Sequence, residues 1–94
     1  MVIKLGIIRE EKVPPDMRVP LTPLECTELL RLYKNLEIYI QPSAHRCYAD
    51  EEYQAFGLTL VEDLSHCDIL MGIKEVPVER LISGKKYFFF SHNS

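Results

Sequence analysis

Short apolar runs rich in β-branched residues recur along this chain, each interrupted by a polar or proline-bearing segment. Val2 to Ile8 is the first and predicts a strand. From Arg9 to Pro20 the chain turns charged and carries three prolines, which predicts a long loop. Loops of that length inside small domains are often functional. Thr22-Pro23-Leu24-Glu25 then predicts a helix start, with Thr22 as N-cap, Pro23 in the first helical position and Glu25 closing a capping box. Cys26, Leu29, Leu30 and Tyr33 follow at i, i+3, i+4 and i+7, the spacing of one buried stripe. The helix is expected to end near Lys34 or Asn35, where asparagine suits a left-handed cap.

Leu36 to Gln41 predicts a second strand and Pro42 to Ala49 a loop. Asp50 is placed to cap a short helix, with Glu51 and Glu52 favouring its N-terminal dipole and Gly57 suiting its exit. Leu58 to Val61 predicts a third strand, Leu64 to Cys67 a helical turn, and Asp68 to Ile73 a fourth strand. Pro77 to Ile82 predicts a short helix and Lys86 to Phe90 a fifth strand. Strands alternating with helical segments imply α/β architecture: a small Rossmann-like (flavodoxin-like) open parallel sheet of about five strands, with helices on both faces.

Length makes residues 1–94 a single domain, 47% apolar, and a domain of this size buries only about 60–65% of the surface of its unfolded chain. Eleven basic and 14 acidic residues give a net charge of −3, with no basic stripe, which argues against nucleic acid as a partner. No apolar run approaches the roughly 18–20 residues that span a bilayer. Met1 leads directly into a strand, so no signal peptide is expected and the location is read as cytoplasmic. Cys26, Cys47 and Cys67 are odd in number and widely spaced, which predicts reduced thiols rather than a disulfide framework or a zinc site. His45 and His66 are read as surface residues. Tyr48, Tyr53, Phe56 and the run Tyr87 to Phe90 are read as packing residues.

Three residues stand out for chemistry. Met71-Gly-Ile-Lys-Glu75 and Phe88-Phe-Phe-Ser-His92 each read as a strand delivering a titratable side chain at its carboxyl end, where open α/β sheets gather their ligands. Lys74 and His92 are thereby candidates for an acid–base pair. Desolvation would lower the lysine's pKa, Glu75 beside it acts in the opposite sense, and histidine titrates near neutrality. Arg18, in the loop after the first strand, would open on the same crevice, and a guanidinium forks well onto a carboxylate. The plain alternatives are a solvated strand-end lysine, a polar cap on a buried strand and a surface arginine. There is no Gly-x-Gly-x-x-Gly and no Walker A loop, so any nicotinamide cofactor would be held by residues outside this chain.

The segments Lys4-Leu-Gly-Ile-Ile-Arg-Glu10, Arg18-Val-Pro-Leu-Thr-Pro23 and Gly72-Ile-Lys-Glu75 resemble the N-terminal domain shared by alanine dehydrogenases and proton-translocating nicotinamide nucleotide transhydrogenases. Gln41-Pro42-Ser43 and Phe89-Phe-Ser-His92 are most similar to the lysine–2-oxoglutarate reductase branch, the lysine-forming saccharopine dehydrogenases. The resemblance implies that Lys74 and His92 are catalytic and that Arg18 engages substrate carboxylate. It implies an amino acid and a 2-oxo acid as small-molecule partners, with NAD or NADP in the parent enzyme and none bound by this chain alone. The family continues past the histidine into a dinucleotide-binding domain. The expectation is therefore an N-terminal fragment, inactive by itself and self-associating through apolar surface around Phe88 to Phe90. An alanine dehydrogenase, a transhydrogenase soluble subunit and a freestanding amino-acid-binding or interaction module are the alternatives.

Overall fold

A computed structural model describes residues 2–9, 19–44, 48–74 and 84–91. Five strands form one sheet: β1 (Ile3–Ile7), β2 (Leu36–Ile40), β3 (Thr59–Leu60), β4 (Ile69–Lys74) and β5 (Lys86–Ser91). Their spatial order is β3-β2-β1-β4-β5, and every neighbouring pair is parallel. This is the open parallel α/β sheet that the alternating runs predict. The order is that of the first five Rossmann strands rather than the 2-1-3-4-5 order of flavodoxin.

Two helices are described, α1 (Pro23–Leu32) and α2 (Asp50–Ala55). Right-handed crossovers from β1 to β2 and from β2 to β3 travel the same way across the sheet, so both helices fall on one face. Their buried residues show it: Cys26 and Tyr53 pack with Leu5, Ile7, Ile38, Ile40 and Leu58. The return from β3 to β4 runs the other way and lies on the far face. There Leu64, Cys67 and Leu70 form a second, smaller cluster with Tyr39 and Tyr87 against it. Helices are thus described on one face only. The far face is covered by the turn of residues 64–67, closed by the Cys67 N–H donating to the Leu64 carbonyl (3.0 Å). The helix expected over Pro77 to Ile82 lies outside the described residues.

Gly6 makes that far-face packing possible. A Cβ there would come within 2.8 Å of Leu70 Cδ2 and 2.9 Å of Cys67 Sγ, closer than side chains tolerate. The absence of a side chain lets the connecting segment lie directly on β1.

The start of α1 forms as its sequence implies. The Glu25 N–H donates to Thr22 Oγ1 (3.1 Å), and the Thr22 N–H donates to Glu25 Oε1 (2.9 Å). Such a cap contributes about 1 kcal/mol. Its end differs from expectation. The helix stops at Leu32, Tyr33 takes an extended C-cap conformation (φ −119°, ψ 103°) and its side chain is exposed. Asn35 is not left-handed, since no described non-glycine residue has positive φ. Its carbonyl is committed to the sheet instead, accepting from the Ile3 N–H (2.8 Å). At α2, Ala49 occupies the cap position without a side-chain bond. Asp50 is instead the first helical residue and accepts from the Ser43 N–H (3.1 Å), bracing the loop rather than the helix. Gly57, at φ 80°, makes the expected left-handed exit.

Tyr53 is fully buried, and its hydroxyl donates to the Leu21 carbonyl (2.9 Å), joining α2 to the approach of α1. Aromatic burial with a satisfied polar tip is the favourable way to place tyrosine in a core. Among the other aromatics, Phe56 is 48% and Phe88 52% exposed. Among the described residues no helix is long and apolar enough to cross a membrane.

Candidate functional site at the carboxyl edge of the sheet

All five strands end at one edge because all are parallel. Ligands in open α/β sheets bind outside that edge, where the strand order reverses. Here the reversal lies between β1 and β4: the chain leaves β1 toward β2 and β3, then returns on the other side of β1.

Lys74 is the last residue of β4, one position beyond the strand end expected from sequence. The last β4 residue in register with β1 is Met71, opposite Ile7. The three residues after it, about 10 Å of strand, carry β4 past the end of β1. On the other side Lys74 is in register with Ser91, the last residue of β5. His92 is the next residue in the chain, and the segment bearing Arg18 departs from the carboxyl end of β1. The backbone of Lys74 and the residue preceding His92 therefore belong to the edges of two adjacent strands, β4 and β5. Arg18 and His92 themselves, and the Lys74 side chain, lie outside the described residues.

The same edge carries a hydrogen-bonded group that no sequence spacing announces. Ladder bonds run up to the Gln41 N–H on the Ile7 carbonyl and the Val61 N–H on the Ile40 carbonyl, both 2.9 Å. Beyond them, side chains take over. The Arg9 N–H donates to Gln41 Oε1 (3.0 Å), and Gln41 Nε2 donates to the Glu62 carbonyl (3.0 Å). The Gln41 carboxamide thus acts as a surrogate peptide group, bridging the exits of β1 and β3 across β2. Arg9 completes the bracing: Nη1 donates to the Pro42 carbonyl (3.1 Å) and to Glu62 Oε1 (2.7 Å), and Nη2 donates to Glu62 Oε2. Hydrogen bonding from this guanidinium holds the Glu62 carboxyl below the ordinary glutamate range. The residues are 32 and 21 positions apart, so only the parallel register brings them together.

Other candidates from the sequence resolve simply. Cys26 and Cys67 are buried free thiols. Burial pushes Cys26 up to about 12 and Cys67 up to about 11, so neither is a nucleophile near neutral pH. His66 is exposed and packs edge-on against Tyr39, with ring centroids 4.6 Å apart. His45 and Cys47 lie outside the described residues. Among the described residues no cluster of His, Cys, Asp or Glu could hold a metal ion.

The described residues do not make a dinucleotide cradle. In Rossmann domains the first strand leads through a glycine-rich turn into a helix whose free N-terminal amides meet the pyrophosphate. Here Ile8 and Arg9 follow β1, and α1 begins only at Pro23. Its N-terminus is occupied by the Glu25 carboxylate through the capping box, so an incoming phosphate would meet a like charge.

Fold and edge together define an open, Rossmann-like α/β domain with its five parallel strands ending at one edge. Comparison with known proteins makes this specific. Residues 6–94 match the family model described as alanine dehydrogenase/PNT, N-terminal domain, and the chain belongs to that family. It is 37% identical over 92 residues to an alpha-aminoadipic semialdehyde synthase of Arabidopsis thaliana, a match covering 94% of this chain and 9% of the relative. A mitochondrial alpha-aminoadipic semialdehyde synthase of Rattus norvegicus is 35% identical over 88 residues, again covering 94% of this chain and 9% of the relative. A saccharopine dehydrogenase [NAD(+), L-lysine-forming] of Yarrowia lipolytica is 30% identical over 90 residues, 90% of this chain and 24% of the relative. The chain thus spans a small part of the length of each relative.

Proposed function

We propose that this chain is the substrate-side N-terminal domain of an NAD(P)-dependent amino-acid dehydrogenase of the saccharopine type. The parent enzyme would join the side-chain amine of lysine to the keto carbon of 2-oxoglutarate and reduce the product. The observation that carries this reading is the register of Lys74 with Ser91, beside the point where the strand order reverses. It brings the root of His92 next to Lys74 at the edge where such sheets bind ligands. The semialdehyde synthase and saccharopine dehydrogenase relatives support the lysine branch over the alanine one.

The chemistry asked of this domain is proton transfer and carboxylate binding. For condensation, the lysine amine must lose a proton before its nitrogen bonds the keto carbon. The former carbonyl oxygen must then gain protons and leave as water. An ammonium–amine and an imidazolium–imidazole couple, Lys74 and His92, are suited to these steps. Arg18 would fork onto a substrate carboxylate. NAD or NADP belongs to residues outside this chain, and so does the reductive step.

The complete polypeptide carrying this domain, given lysine, 2-oxoglutarate and reduced NAD or NADP, should form saccharopine. Lys74→Met and His92→Ala should each lower kcat about 10²- to 10⁴-fold. Undiminished kcat in both variants would overturn the acid–base roles. The 94-residue chain alone should show no turnover, and appreciable turnover would overturn the assignment of the cofactor to another domain.

A further inference from the structure

We propose that α1 is a two-fold, antiparallel contact between two copies of this chain, with Leu32 of each copy seated in a hole formed by Leu21, Leu24, Glu25 and Glu28 of the other. The inference does not depend on the roles proposed for Lys74, His92 and Arg18.

The inner side of α1 is marked by the buried Pro23 and Cys26. Leu24, Glu28 and Leu32 are spaced four residues apart and so align on another side of the helix. All three are exposed, the two leucines by 59% each. A helix side that faces water ordinarily carries polar residues. Beside Leu24 lies a shallow hollow of about 340 Å³ lined by Leu21, Leu24, Glu25, Glu28 and Leu29. Leu21, Leu24, Glu25 and Glu28 stand at i, i+3, i+4 and i+7. That is the spacing of the four residues that receive a side-chain knob from a facing helix.

The occupant follows from the helix itself. Its charge is divided, with Glu25 and Glu28 in the first part and Arg31 and Lys34 at the end or just beyond it. Complementing the helix dipole accounts for those charges but not for two exposed leucines. A two-fold contact needs a surface complementary to itself. Antiparallel packing about Glu28 lays the acidic part of one helix on the basic end of its copy. The same packing brings Leu32 of one copy opposite Leu24 of the other, over the hole. Within one chain Arg31 Nη2 donates to Glu28 Oε1 (2.7 Å), and both side chains are more than half exposed. A pair so open to solvent contributes little alone, and beside its copy it joins a cluster of four charges. A ten-residue helix is about 15 Å long, so the contact falls below the roughly 1,200 Å² of a standard interface and the dimer is weak and reversible.

Sedimentation equilibrium of the 94-residue chain between about 10 μM and 1 mM should show monomer and dimer. Leu32→Gln removes both knobs at once and should raise Kd about ten- to a hundredfold, with helical circular dichroism near wild type. Phe88→Ser, on a different exposed apolar surface, should leave Kd unchanged. Glu28→Lys and Arg31→Glu should each dimerise poorly alone and pair with one another when mixed. With Cys47 replaced by serine, mild oxidation of a mixture should link Leu24→Cys to Leu32→Cys more readily than either to itself. A strict monomer throughout the range would overturn the proposal. So would a dimer lost in Phe88→Ser but kept in Leu32→Gln, charge-reversed variants that do not pair, or preferential linking of Leu24→Cys to itself.

Discussion

Among the described residues, the two sides of the sheet differ in how much packs against them. Around β1, β2 and β3, both described helices close one face and the larger core cluster lies beneath them. The carboxyl edge there is braced through Arg9, Gln41 and Glu62. Around β4 and β5 the described cover is thinner. The cluster of Leu64, Cys67 and Leu70 is small, and Phe88 is 52% exposed on the face away from it. Yet this thinner side carries Lys74 and leads to His92. The difference teaches a division of labour. The closed side supplies a rigid reference, and the side with thinner described cover bears the residues proposed for acid–base chemistry. Sites held on rigid elements keep their geometry, while elements with few buried contacts open more readily.

The largest expected effect contrasts two aromatic deletions. Tyr53→Ala should cost about 3–5 kcal/mol in urea-induced unfolding, because it empties a fully buried site and strands the Leu21 carbonyl. Phe88→Ala should change stability by less than about 0.5 kcal/mol, as exposed substitutions do. Comparable losses in both variants would erase the distinction between the two sides.

A finer contrast uses the buried thiols, one on each side. With Cys47 replaced by serine, alkylation of Cys26 and Cys67 under native conditions reports local opening, since burial keeps both thiols protonated at neutral pH. Cys67, in the smaller cluster, should label about tenfold faster than Cys26, corresponding to an opening about 1.4 kcal/mol easier. Equal rates would mean that the sheet opens as one unit.

The smallest effect concerns the brace. Arg9 holds Glu62 below the ordinary glutamate range in the folded state, so the unfolded chain binds this proton more readily. The stabilisation is complete above the unfolded value and fades as pH falls through the lowered folded value. The stability difference between wild type and Glu62→Gln should therefore be measurable at neutral pH and shrink in acid. A difference that grows on acidification would show that the pairing is not what stabilises Glu62.

Much of the fold was readable because its signals are local. The Thr22–Glu25 capping box, the left-handed Gly57 and the β-branched runs each act within a few residues. The family resemblance likewise resides in short motifs, Arg18 to Pro23 and Gly72 to Glu75. Local signals also misled where the sheet made a competing demand. Asn35 gave its carbonyl to Ile3 instead of adopting a left-handed cap, and Tyr33 turned outward when the helix ended early. Asp50 served Ser43 rather than its own helix.

By itself, then, the sequence determined the types of the described strands and helices, the parallel alternation, the family and the three residues proposed to carry chemistry, since backbone preference and hydrophobic period act over short range. Tertiary structure alone decided that β4 runs on to pair Lys74 with Ser91, that Gly6 must stay bare beneath Leu70 and Cys67, and that Arg9, Gln41 and Glu62 meet. Those contacts join positions tens of residues apart, and nothing but the register of neighbouring strands specifies which side chains will share an edge.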